Sequence, residues 1–118
     1  MNDRELLELA AKAAGLTIVG SIPSMLHDDD WLETTDNGPD MFWNPLQNDG
    51  DALRLAVRLH LDINQFPATD GYVGMIEIWR NGDGDPAHVE YVKVGDDRLI
   101  ATRRAIVRAA AEIGRNMK

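Results

Sequence analysis

Cysteine is absent from the 118 residues, which excludes disulfides and thiolate zinc sites. No apolar run approaches the length of a membrane span, and the opening MNDRELLELA lacks the basic-then-apolar pattern of a signal peptide. Serine is sparse, and neither Ser21 nor Ser24 sits in a nucleophile elbow. No glycine motif offers to cradle a phosphate, because Gly71 and Gly74 fall in a β-branched stretch. No pattern for nucleotide hydrolysis, zinc hydrolysis or acyl transfer is present. The expectation is a cytoplasmic, non-enzymatic chain without cofactor or metal.

The chain carries 44% hydrophobic and 27% charged residues, the composition of one ordinary globular domain spanning 1–118. Its net charge is −8, unevenly spread. Residues 1–97 hold 6 Lys+Arg against 19 Asp+Glu, or −13, and residues 98–118 hold 6 against 1, or +5. An acidic body repels phosphates, so generic nucleic-acid binding is not expected, nor is a membrane partner. The basic C-terminal stretch could attract an anion, although pairing with the acidic body is its plainer role.

The best-specified stretch is WNPLQNDGDALRLAVRLHL at 43–61. Pro45 biases Asn44 away from helical angles, so a strand ends at Trp43 and a polar turn follows. Asn48 is placed to cap a helix, with Asp49 and Asp51 at its positive end. Leu53, Leu55, Ala56, Val57 and Leu59 give that helix a broad apolar face. Residues 2–15 form an earlier helix, with Asn2 and Glu5 as a capping box and Gly15 as its left-handed stop. Residues 98–113 form a third helix after Asp96 and Asp97, with Gly114 as its stop.

Strands are expected at 16–22, at 31–33 as an edge strand, and at 41–43 as the hairpin partner of Trp31 and Leu32 across the Asp36-Asn37-Gly38-Pro39 turn. Residues 62–66 are ambiguous. Residues 72–79 are the clearest strand, apolar on both faces and therefore central, and 88–94 returns beside it. The order of elements predicts an α+β fold, a three-layer α/β/α sandwich of three helices and a mostly antiparallel sheet.

Candidate chemistry is thin. His27-Asp28-Asp29-Asp30 offers three consecutive carboxylates, which point to alternating sides and suit a solvated loop better than a cation. Asn81-Gly82-Asp83-Gly84-Asp85 fails as a calcium loop, because Pro86 stands where glycine is needed and Val92 where the last acid is needed. His60 ends a helix, where an imidazolium complements the dipole. Trp31, Trp43 and Trp79 are core or binding residues. If one of them, Trp43 foremost, is exposed beside Arg103, Arg104 and Arg108, the aromatic plate and guanidinium would suit a nucleotide or a peptide anchor.

Three segments together resemble the phage ABA sandwich domain family: WNPLQNDGDALRLAV at 43–57, NDRELLELAAKAAGL at 2–16 and ATRRAIVRAAAEIGRNM at 101–117. The resemblance implies an α/β/α sandwich and no established activity, so it assigns no catalytic residue. It also implies the setting of a small phage or prophage accessory protein. The leading expectation is a binding module in the host cytoplasm that antagonises a host process such as antiviral defence. Its acidic surface, with Asp28, Asp29, Asp30, Asp83 and Asp85 as candidates, would occupy a basic site on a host protein. One alternative sequesters a small nucleotide signal with Trp43, Arg103, Arg104 and Arg108. A second is a small phage enzyme, which would need His60 or His88 to meet a carboxylate in a cleft. The alanine-rich first and third helices could also pair with a twin in a homodimer.

Overall fold

A computed structural model describes residues 2–23, 30–35, 41–69, 73–80 and 84–117. Three helices and six strands follow in the order α1 (Asp3–Ala14), β1 (Thr17–Pro23), β2 (Asp30–Thr35), β3 (Met41–Trp43), α2 (Asp49–Arg58), β4 (Leu61–Phe66), β5 (Gly74–Arg80), β6 (His88–Val92) and α3 (Arg98–Arg115). The fold is α+β with antiparallel strands, as the element order predicts. The strands divide into two three-stranded sheets, β1-β2-β3 and β4-β5-β6.

The expected β2–β3 hairpin has Leu32 opposite Trp43 and Glu33 opposite Phe42. β2 is not an edge strand, because β1 pairs along its other side. In the second sheet β5 is central, and the ambiguous 62–66 segment is β4. Ile76 and Ile78 on β5, with Val92 on β6, are sealed in the core. The other face of β5, with Met75, Glu77 and Trp79, is only half-buried. There Phe66, Met75 and Tyr91 stand in one cross-strand row.

Helix α3 joins the parts, touching α1, α2, β5 and β6. It lies alongside α1 in the same direction: Arg104 reaches Asp3, and Lys12 Nζ donates to the Met117 carbonyl at 3.1 Å. Their contact is built from small residues. Ala10 and Ala11 of α1, with Ala105, Ala109 and Ala110 of α3, are fully buried. The alanine faces that a second copy could have used are therefore consumed within one chain.

Gly114 belongs to the same seam. It does not stop α3, which continues to Arg115. A Cβ there would fall on the Leu9 carbonyl oxygen and lie 2.8 Å from the carbonyl carbon. Only glycine lets the two backbones approach so closely. The turn before α3 also differs from expectation. β6 ends at Val92, and the Lys93 amide donates to Asp96 Oδ2 at 2.9 Å. Asp97 alone caps α3, accepting from the amides of Leu99 and Ile100.

Candidate functional site

The 43–61 stretch is a wired unit. Trp43 closes β3 and is 7% exposed. Its neighbour Asn44 is buried, and the Asn44 carbonyl accepts from the amides of Gln47 and Asn48. Asn48 then caps α2, its side chain accepting from the Asp51 amide at 2.9 Å. Asp51 folds back under the turn. Its Oδ2 accepts from the Asn44 amide at 3.0 Å and its Oδ1 from Arg54 at 2.7 Å. A buried carboxylate needs such donors, since an unpaired one would forfeit its hydration without return. Asp51 is 5% exposed, so the residue that looks like a helix-dipole acid is in fact a buried fastener between strand end and helix.

α2 buries a narrow stripe: Ala52, Leu55 and Ala56, with Asp51. Leu53 and Val57 of the expected apolar face are exposed. A ten-residue helix that turns one side to the core at this turn cannot bury both sides. Just beyond its end His60 takes a left-handed conformation, with φ of 55°, and is exposed.

A cavity of about 210 Å³ opens beside this unit. Trp43, Phe42, Leu16 and Leu55 supply its apolar wall, and Arg54 and Arg58 stand on it from consecutive turns of α2. Trp43 thus meets guanidinium groups, as a ligand site would need, but they come from α2.

The α3 arginines go elsewhere. Arg103 donates to the Leu46 carbonyl at 2.9 Å and to Asp49 Oδ1 at 2.6 Å. Arg104 donates to both oxygens of Asp3, at 3.0 and 3.4 Å. Arg108 donates through Nη1 to both oxygens of Glu90, each at 2.8 Å. They tie α3 to α2, α1 and β6 in turn. None of them lines the cavity on which Trp43 opens.

Glu90 has a second partner in His88, whose Nε2 lies 2.8 Å from Oε1. Burial pushes the Glu90 pKa up. The hydrogen bonds and charges of His88 and Arg108 outweigh it and hold the carboxyl below its usual 4.5. His88 and Arg108 border a groove of about 330 Å³ whose remaining described wall is Leu6, Ala87, Ala111 and Glu112. A histidine of the groove does therefore meet a carboxylate, Glu90, yet that carboxylate does not line the groove, and no hydroxyl nucleophile lines it among the described residues. With both Glu90 oxygens bonded to Arg108, the trio's evident work is to fasten β6 to α3.

Of the acidic candidates, Asp85 is exposed. Asp30 opens β2, and its side chain lies outside the described residues, as do Asp28, Asp29 and Asp83. The side chain of Trp31 is outside them too. Trp79 is half-buried, and its indole N–H is closed off from solvent with no acceptor among the described residues. Among the described residues, no cluster of three His, Asp or Glu side chains could hold a metal ion, and no helix is long and apolar enough to cross a membrane.

Sequence reasoning missed the Arg54–Arg58 pair. Its signal was available, because i,i+4 spacing on a helix places two side chains on one face. The position of Trp43 beside that face was not, since it depends on how the 44–48 turn folds back. Compared with family models, curated proteins and solved structures, the chain finds no match.

Proposed function

We propose that the chain is a non-catalytic binding module whose acidic surface engages a basic site on a partner protein. The observation that carries this reading is the fate of the α3 cations. Arg103, Arg104 and Arg108 are each held by a carboxylate of another element. The +5 segment therefore makes no outward basic patch from these side chains, and a surface with a net −8 stays dominated by acid. Such a surface attracts basic protein sites, including those that otherwise hold nucleic acid, and repels nucleic acid itself.

In the phage or prophage setting that the sequence resemblance implies, the partner is a host protein in the host cytoplasm. Occupying its basic site would antagonise a host process, antiviral defence among them. The test is capture of partners from host lysate by the tagged full chain, at about 0.05 M and about 0.5 M salt, where screening lengths differ several-fold. The expected result is a basic protein retained at low salt and released at high salt. It should also be lost when Asp28, Asp29, Asp30, Asp83 and Asp85 are changed to Asn. A partner indifferent to both salt and these substitutions would refute the acidic-surface reading. A nucleotide retained in place of protein would refute it as well.

A further inference from the structure

We infer that the outer face of the β4-β5-β6 sheet docks an arginine-bearing segment of the partner protein. The inference rests on the acidic-surface reading and names its contact face.

The strand register decides which residues share that face. Ile76, Ile78 and Val92 are sealed on the core side. Helix α3 packs there, and its Arg98 and Arg108 reach Gln65 and Glu90 of the same ladder face. The alternate residues form three rows on the other side. Phe66, Met75 and Tyr91 make the first row, and Asn64, Glu77 and Val89 the second. Asp62 and Trp79 make the third. None of these side chains is buried, and in the first row Tyr91 is 71% exposed and Phe66 43%. A contiguous row of large apolar side chains left in water marks a surface that a partner covers.

Charge complementarity selects the occupant. The three rows carry two carboxylates, Asp62 and Glu77, and no cation. Arg80 stands opposite Leu61 on the core side of the ladder, and Lys93 lies beyond the end of β6. Neither carboxylate has an ion pair or hydrogen bond with a described residue. Glu77 is half-buried on the central strand, with Met75 and Trp79 about 7 Å to either side on the same face. Its cross-strand neighbours, Asn64 and Val89, are uncharged. An apolar partner would cover Glu77 and strip its hydration without return. A second copy packed face to face would set Asp62 and Glu77 against acids of the same rows, which is unfavourable. A guanidinium meets both demands of the face. It pairs with a carboxylate through two donors and lays its planar side on an aromatic ring, for which Trp79 stands next to Glu77 and Tyr91 one row away. Asp85, exposed in the connection between β5 and β6, adds acid at the Asp62–Trp79 end.

The experiment titrates the full chain with a peptide of alternating arginine and valine, and with its lysine–valine and glutamate–valine counterparts, followed by amide chemical shifts and calorimetry. The expected result is binding of the arginine peptide, with shifts centred on residues 62–66, 75–79 and 89–91. The lysine peptide should bind about threefold more weakly, because its ammonium cannot stack, and the glutamate peptide should not bind. Glu77→Gln should weaken the arginine peptide about tenfold through the lost charged acceptor. Tyr91→Ala, at an exposed site, should weaken it about threefold, with the thermal midpoint confirming that each variant is folded. No shifts at about 1 mM peptide, the weak end of measurable affinity, would overturn the inference. So would equal binding of the arginine and lysine peptides, or a dimer in light scattering whose formation shifts this same face. Shifts centred instead on residues 28–30 and 83–85 would overturn this face and leave the acidic-surface reading standing. A lysate partner held regardless of salt would overturn that reading itself.

Discussion

Replacing Gly114 by alanine separates two opposed effects. Inside a helix this change ordinarily favours folding by about 1 kcal/mol, because glycine loses more backbone freedom. Here the new methyl would fall on the Leu9 carbonyl oxygen, 2.8 Å from the carbonyl carbon and 3.3 Å from the Ala13 nitrogen. All these atoms are backbone of α1, so no side chain can swing aside. The helices must part, and the parting loosens a seam whose alanines are fully buried. Overpacking costs about 1–3 kcal/mol, and a backbone obstacle belongs at the upper end. Subtracting the propensity gain leaves about 2 kcal/mol of net destabilisation. For a chain of this length that lowers the thermal midpoint by roughly 8 °C. Urea unfolding at fixed slope gives the free energy directly. Gly84→Ala, with nothing among the described residues within 4 Å of the added methyl, is the control and should be neutral. A neutral or stabilising Gly114→Ala would refute the close α1–α3 approach. So would rescue by Leu9→Ala, which removes a side chain and leaves the backbone obstacle in place.

Asp51→Ala should destabilise by about 2–3 kcal/mol in urea unfolding, because the buried Asn44 amide loses a charged acceptor and Arg54 its partner. Asp51→Asn, which keeps an acceptor, should lose less. Asn48→Ala should cost about 1 kcal/mol through the lost α2 cap, read by the same method. Asp3→Ala should change stability by less than about 1 kcal/mol, since its pair with Arg104 is only partly buried and stays in reach of solvent. The depressed Glu90 pKa gives a pH dependence of definite sign. A group with a lowered folded pKa contributes stability above its unfolded value, and that contribution is lost as pH falls through the folded value. Thermal midpoints of the wild type and Glu90→Gln should therefore differ most above the usual 4.5 and converge as the pH drops below it.

The local rules read directly from sequence. Asn2 and Asn48 cap the helices expected of them, and Gly15 takes the left-handed stop with φ of 74°. These features depend on residues three or four apart, so the sequence contains their whole geometry. Gly114 followed the same rule of thumb and came out differently, because its reason lies in α1, 105 positions back. A glycine needed for φ and a glycine needed for space are identical in a sequence. The place of β2 inside its sheet is equally hidden: which strand pairs on its far side is set by the chain's path, while the composition of Trp31-Leu32-Glu33 carries no mark of it.

The arginines carry the argument furthest. A cluster of Arg103, Arg104 and Arg108 within six positions suggests one cationic site. On a helix, 103 and 104 project about 100° apart, and 104 and 108 share a face. The three reach Asp49, Asp3 and Glu90, at separations of 54, 101 and 18 residues. What decides whether an arginine can hold a ligand is therefore the nearest acid in space. Arg54 obeys the same condition with a different result. Its acid, Asp51, is one turn away on the same helix and is shared with the Asn44 amide, and Arg54 lines the cavity beside Trp43. The arginines of the basic helix thus serve as struts between elements far apart in sequence.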